Sequence, residues 1–210
     1  EEKACHFFKQ MVSAVSYLYS QNIIHRDIKF ENFVVVNNDI IKLIDFGLSI
    51  QLENQDDNDS SKIDYFNRTF CGSISYSAPE IIAQNKYSYS GDIWSLGVVL
   101  FGMIFGRFPF QGHGDVLINE ILTQQLFLPK QVSKELENLI LEMLRKNPKN
   151  RLTIEQVQNH RWLQMDHHIA QNPPVSKTGS ISSANSSAQI VKESPQEKEQ
   201  FSPTFSMQRI

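Results

Sequence analysis

Cysteine is scarce in this chain of 210 residues: Cys5 and Cys71 stand far apart with no metal-ligand spacing. That excludes a disulfide framework and a zinc site, and it fits a reducing compartment with two free thiols. An excess of one charge is also lacking. The net charge is -3 and the pI is near 6.1, which leaves no basic field for a nucleic-acid backbone or an anionic membrane. Nor is there an apolar run of the roughly 18 residues that a membrane span needs. The longest, Ile93 to Phe105, is interrupted by Ser95, Gly97 and Gly102 and reads as a buried helix. No charged-then-apolar signal segment opens the chain. Together these absences predict a cytoplasmic or nuclear protein whose partners are small molecules or other proteins, with no nucleic acid and no membrane.

What is present suffices for one sizeable core, since 40% of the residues are hydrophobic. Apolar residues Phe7, Phe8, Met11, Val12, Val15, Leu18 and Tyr19 recur at helical spacing, so residues 2–20 are predicted as an amphipathic helix. Two short β-branched runs, Phe33 to Val36 and Ile40 to Ile44, flank the turn-forming Asn37-Asn38-Asp39 and predict a hairpin. Periodicity then disappears from Leu48 to Ser77, where Glu53 to Ser61 is polar and acidic, as in a surface segment. Helical patterns resume near Ala78–Ala83, Gly91–Gly106, Val116–Thr123, Ser133–Arg145 and Thr153–His160, with Pro109, Pro129 and Pro148 as breakers. Thr153 followed by Gln156 predicts a capping box. Four of the eight prolines and nine serines fall in the last 40 residues, with Phe201 and Phe205 the aromatics there. Such a segment buries too little to offset its ordering entropy, so residues 165–210 are expected as a disordered tail beside a domain of residues 1–164.

One constellation carries chemistry. His25-Arg26-Asp27-Ile28-Lys29-Phe30-Glu31-Asn32 is followed, thirteen residues after Asn32, by Asp45-Phe46-Gly47, and the hairpin brings Asn32 and Asp45 together. Ala78-Pro79-Glu80 and Asp92-Ile93-Trp94-Ser95-Leu96-Gly97 come next in order. In these residues the chain resembles the eukaryotic protein kinases, with their H-R-D-x-K-x-x-N catalytic loop and D-F-G. The resemblance runs from about Glu1 to about Gln164, and no glycine-rich loop or strand lysine precedes the catalytic loop. The fold it implies is α+β and protein-kinase-like: a predominantly helical C-terminal lobe with a small β-hairpin, the N-terminal lobe missing. A start at Glu1 rather than Met fits a piece of a longer protein.

The resemblance implies transfer of the ATP γ-phosphoryl group, with Mg2+, to a hydroxyl. That reaction needs a carboxylate near the attacking oxygen and cations on the phosphates, all on rigid neighbouring elements. Asp27 is the candidate base and Lys29 the cation on the transferred group, while Asn32 and Asp45 are the magnesium ligands. Lys29, Glu31, Asn32 and Asp45 would line the nucleotide side. Lys29 and Ser73 imply serine or threonine as acceptor and disfavour a tyrosine or dual-specificity kinase. Glu31 implies recognition of a basic residue upstream of the acceptor. Phe30 departs from the proline usual after H-R-D-x-K.

Other positions are architectural in the family. His25 and Phe46 are expected as buried packing residues beside Gly47. Glu80 and Arg151 are expected as a buried ion pair worth roughly 3 to 5 kcal/mol to break. Asp92 is expected to accept hydrogen bonds from the catalytic-loop backbone, a plain helix N-cap being its bland role. Arg26, a cation beside Lys29, implies control by phosphorylation of the activation segment. Thr69 is the candidate acceptor for an upstream activating kinase, in a context similar to the calcium/calmodulin-dependent and AMP-activated kinase group. The competing class is a shortened kinase lobe acting as a binding scaffold, and the retention of Asp27, Lys29, Asn32 and Asp45 argues against it.

Overall fold

The computed structural model of the chain describes residues 1–37, 39–52, 74–84 and 87–165. Thr69, Cys71, Ser73, the acidic run of residues 55–59 and the tail lie outside them. The first compact unit spans Glu1–His167. Helix α1 (Glu2–Ser20) buries Cys5, Phe8, Met11, Val12, Val15 and Leu18, steps of three or four residues interrupted once, which is the stripe a 3.6-residue helix turns inward. It packs on the middle of the unit, where the Phe8 and Trp162 rings lie 6.3 Å apart. Cys5, a free thiol, is buried there and points its Sγ at the Trp162 carbonyl.

Two separate antiparallel ladders come after it. Strands β2 (Phe33–Val36) and β3 (Ile40–Leu43) pair in the register Phe33 to Leu43 and Val36 to Ile40. This is the expected hairpin, one residue shorter at its end. Strands β1 (Ile23–Ile24) and β4 (Ile50–Gln51) form the second ladder, β4 lying in the stretch whose sequence shows no periodicity. Two residues are too few to display a period of two.

The rest is helical: α2 (Pro79–Gln84), α3 (Tyr89–Phe105), α4 (Asp115–Thr123), α5 (Lys134–Met143), α6 (Ile154–Gln158) and α7 (Arg161–Gln164). Every residue from Gly91 to Gly102 is buried, so α3 is apolar all round and forms the axis of the core. Gly106, at φ 67°, ends it in the left-handed conformation and donates back to the Gly102 carbonyl at 2.9 Å. Gly102 itself is a mid-helix glycine, which costs about 1 kcal/mol relative to alanine. Its reason is steric: a Cβ there would lie 2.6 Å from Cε2 and 2.8 Å from Cζ of Phe30.

The last helical pattern divides in two. The Thr153–Gln156 capping box opens α6, the Thr153 N–H donating to Gln156 Oε1 at 2.9 Å and the Gln156 N–H to Thr153 Oγ1 at 3.3 Å. His160 then caps α7 by accepting from the Trp162 N–H at 3.3 Å. Lys146 ties α4 to α3, donating to the Glu120 and Ile121 carbonyls at the end of α4 and lying 5.4 Å from the Trp94 ring centroid of α3 and 4.0 Å from that of Phe110. Burial brings its amine down to about 8. Among the described residues no helix is long and apolar enough to cross a membrane.

Candidate active site

The segment of residues 25–32 leaves β1 and turns sharply, with Arg26 at φ 65° in the left-handed region that a bulky residue rarely visits. Asp92, the fourth residue of α3, holds that turn from beneath. Its carboxylate accepts the His25 N–H at 2.8 Å and the Arg26 N–H at 3.0 Å. It does not cap the helix; the N-cap is Ser88, because the chain is already helical at Tyr89. Burial pushes the Asp92 carboxyl up to about 7, opposed by the two backbone N–H groups and the Arg26 guanidinium, which favour the ionised form.

Asp27 lies at the centre of the site. The Lys29 Nζ sits 2.7 Å from Asp27 Oδ2, with the two side chains 25% and 10% exposed, so solvent reaches the pair only in part. Asn32, buried at the end of a 3-10 turn of residues Phe30–Asn32, donates its Nδ2 to the Asp27 carbonyl at 2.7 Å and to Asp27 Oδ2 at 3.0 Å. Both contacts use the amide nitrogen, which leaves the Asn32 carbonyl oxygen for another partner. The Ile44 N–H donates to the Asn32 backbone carbonyl at 2.9 Å, so the ladder holds Asn32 against the approach to Asp45. Asp45 is exposed and left-handed at φ 65°, and its Oδ1 accepts the Gly47 N–H at 3.1 Å. A Cβ on Gly47 would lie 3.2 Å from that oxygen.

His25 is buried at the junction of these elements. Burial holds its imidazole below the ordinary value; the Ile44 backbone and the charges of Asp27 and Asp45 pull it back up. Phe46 meets the His25 ring edge-on at 5.2 Å, yet it is 49% exposed. The expectation of a buried Phe46 is thus corrected: one edge is covered by His25, and the rest faces outward because the Asp45-Phe46-Gly47 turn leaves the hairpin on its open side. The Arg26 Nε donates to the Leu48 carbonyl at 2.6 Å and its guanidinium lies 5.1 Å from the Tyr87 ring.

Sequence reasoning missed Tyr76. It is buried at the end of a second 3-10 turn, Ile74–Tyr76, and its hydroxyl lies 3.5 Å from Glu31 Oε2. Burial and the Glu31 charge hold its phenol well above the ordinary value. Its carbonyl accepts the Ser95 hydroxyl at 2.8 Å, which links it to α3. Only the approach of chain segments 45 residues apart makes the Glu31 contact, so no local signal could reveal it. A small cleft opens beside Asp27, lined in part by Arg26, Asp27, Tyr76, Ser77, Tyr87 and Asp92.

Glu80 and Arg151 meet as expected, in a two-pronged pair at 2.6 Å and 2.9 Å, with the Arg151 side chain fully buried. Among the described residues no cluster of three histidine, cysteine or acidic groups forms a metal site. A cation would instead have to use the Asn32 and Asp45 oxygens, hard donors of the kind that magnesium takes.

Comparison with known proteins gives the family. The family model of the protein kinase domain matches residues 1–163, so the chain belongs to that family. Its relatives are serine/threonine kinases. The SNF-related serine/threonine-protein kinase of Homo sapiens is 40% identical over 167 residues, covering 78% of this chain and 21% of that protein. The probable serine/threonine-protein kinase MARK-A of Dictyostelium discoideum is 41% identical over 165 residues, covering 78% and 15%. The maternal embryonic leucine zipper kinase of Xenopus laevis is 39% identical over 165 residues, covering 78% and 24%. The chain thus spans a quarter or less of the length of these relatives, and its fold is the α+β fold of a kinase.

Proposed function

We propose that this chain is the larger lobe of a serine/threonine protein kinase of the calcium/calmodulin-dependent or AMP-activated-like group, which moves the γ-phosphoryl of magnesium-ATP to serine or threonine hydroxyls of proteins. The observation that carries the reading is the Asp27 carboxylate, aimed by the Asn32 amide and paired with Lys29 at 2.7 Å. The similarity to the SNF-related and MARK-A kinases supports the subgroup.

In this reading Asp27 accepts the proton of the attacking hydroxyl, and Lys29 offsets the charge that develops on the phosphoryl oxygens. The Asn32 carbonyl oxygen and the Asp45 carboxylate would hold magnesium, which when bound supplies charge neutralisation on the phosphates. Asp92 keeps the loop in its strained turn. Glu31 presents a carboxylate to a basic residue upstream of the acceptor, and Ser73 belongs to the choice of serine or threonine as that acceptor. Phosphorylation of Thr69 by an upstream kinase would supply a phosphate to the Arg26 guanidinium, which donates its Nε to the Leu48 carbonyl and keeps further N–H groups for it.

The test compares peptide phosphorylation by the full-length protein and by its Asp27→Asn form. A positioned base contributes roughly a hundredfold to ten-thousandfold, so that loss is expected in kcat with ATP binding retained. Equal rates would remove Asp27 from the role.

A further inference from the structure

Phe30 takes no part in the phosphoryl transfer, yet its ring, partly buried, packs against the core. Its 3-10 turn carries Glu31 and Asn32. The ring occupies the gap left by Gly102, where a Cβ would approach two ring carbons at 2.6 and 2.8 Å. Tyr76 meets it edge-on, with ring centroids 6.4 Å apart at 72°. Phe108 in turn meets Tyr76 at 5.1 Å and 87°, and the Tyr76 hydroxyl lies 3.5 Å from the Glu31 carboxylate. Helix α3 therefore grips one loop at two points. Asp92 holds the backbone of His25 and Arg26. Ten residues on, about 15 Å along the axis at 1.5 Å per residue, Gly102 receives Phe30.

We propose that Phe30, seated at Gly102, is a positioning residue that sets the angle of the Glu31–Asn32 turn and thereby the selection of substrates with a basic upstream residue. This rests on the roles proposed for Glu31 and Asn32 in phosphoryl transfer. The physical reason is confinement. A ring with helix on one side and Tyr76 on another yields to an added methyl either by swinging toward Tyr76, whose hydroxyl lies 3.5 Å from Glu31, or by moving its own backbone, whose next two residues are Glu31 and Asn32. Replacing a mid-helix glycine by alanine ordinarily stabilises; here the methyl meets the ring, which offsets that gain for as long as the ring is present.

The test is a cycle of Gly102→Ala, Phe30→Ala and the double variant in the full-length protein. Two quantities are read: amide exchange across residues 30–33, and the ratio of phosphorylation of an arginine-containing peptide to that of its alanine analogue. Gly102→Ala is expected to speed exchange of the Asn32 amide, which donates to the Lys29 carbonyl at 3.1 Å, by about tenfold. It is also expected to lower the selectivity ratio about threefold or more. Phe30→Ala alone, which adds no clash and tests the seat should the first variant fail to fold, is expected to lower the ratio as well. In the Phe30→Ala background Gly102→Ala is expected to change neither quantity. Equal effects of Gly102→Ala in both backgrounds, or a selectivity ratio untouched by Phe30→Ala, would overturn the proposal. A parent protein that phosphorylates neither peptide, with the exchange coupling intact, would sink the kinase reading and leave the Phe30 seat standing.

Discussion

Arg151→Met offers the sharpest test of how this fold is held together. The Arg151 side chain is fully buried and Glu80 is 11% exposed, so neither charge is well solvated. The guanidinium donates twice to Glu80, to the Ser90 carbonyl at 2.6 Å and hydroxyl at 3.0 Å, and to the Arg145 carbonyl at 3.0 Å through Nε. It also lies 5.2 Å from the Trp94 ring. Methionine keeps much of the stem volume and removes every one of those donors. What remains is a mostly buried carboxylate without its cation, a situation that costs about 3 to 5 kcal/mol. For a domain of this size each kcal/mol lowers Tm by about 2 to 4 °C, so a fall of roughly 6 to 20 °C is expected. Urea unfolding of the full-length protein and of the variant gives the free-energy difference directly. The double variant Glu80→Leu with Arg151→Met removes both charges and is expected to recover most of the loss, to within about 1 kcal/mol of the parent. A loss below about 1 kcal/mol for Arg151→Met, the value of a solvated surface pair, would refute the reasoning. A double variant no more stable than the single one would do the same.

Other contacts set further expected outcomes. Asp92→Ala leaves the His25 and Arg26 amides without an acceptor, at about 1 to 3 kcal/mol, and should speed their exchange; unchanged protection of both amides would contradict the anchoring role of Asp92. Because burial lowers the His25 pKa in the folded chain, the unfolded chain binds more protons below its ordinary value of 6.5. Stability from this group is therefore present above that pH and is lost as the pH falls through it toward the folded value. His25→Gln should flatten that part of a pH-stability profile, and identical slopes in both proteins would count against a neutral buried imidazole. Thr153→Ala removes one half of the capping box and should cost about 1 kcal/mol in urea unfolding; a cost within error of zero would show that α6 is held by packing alone.

Local chemistry was legible wherever its cause was local. The helix of residues 2–20 and the hairpin around Asn37 follow from apolar spacing within one element, and both appear close to their expected bounds. The capping box at Thr153 is four residues long and needs nothing from elsewhere. Asp27, Lys29, Asn32 and Asp45 stand out because few arrangements need a carboxylate, an amine and two oxygen donors at such spacing. By contrast, the pairing of Ile23–Ile24 with Ile50–Gln51 joins segments too short to carry a period. Phe46 shows the same limit: its type states how much burial would gain, whereas coverage depends on neighbours from other segments, and His25 covers only one edge.

By itself, then, the sequence carried the short motifs in which the chain resembles the kinases, the run of helices and the set of polar groups available for chemistry, because each of these is written over a few residues. Tertiary structure alone decided that Ser88 stands at the α3 N-cap in place of Asp92, that Tyr76 closes on Glu31, and that the Phe30 ring packs on Gly102. Those outcomes depend on which surfaces meet across tens of positions of chain, and the excluded volume of two approaching side chains is a property of neither one alone.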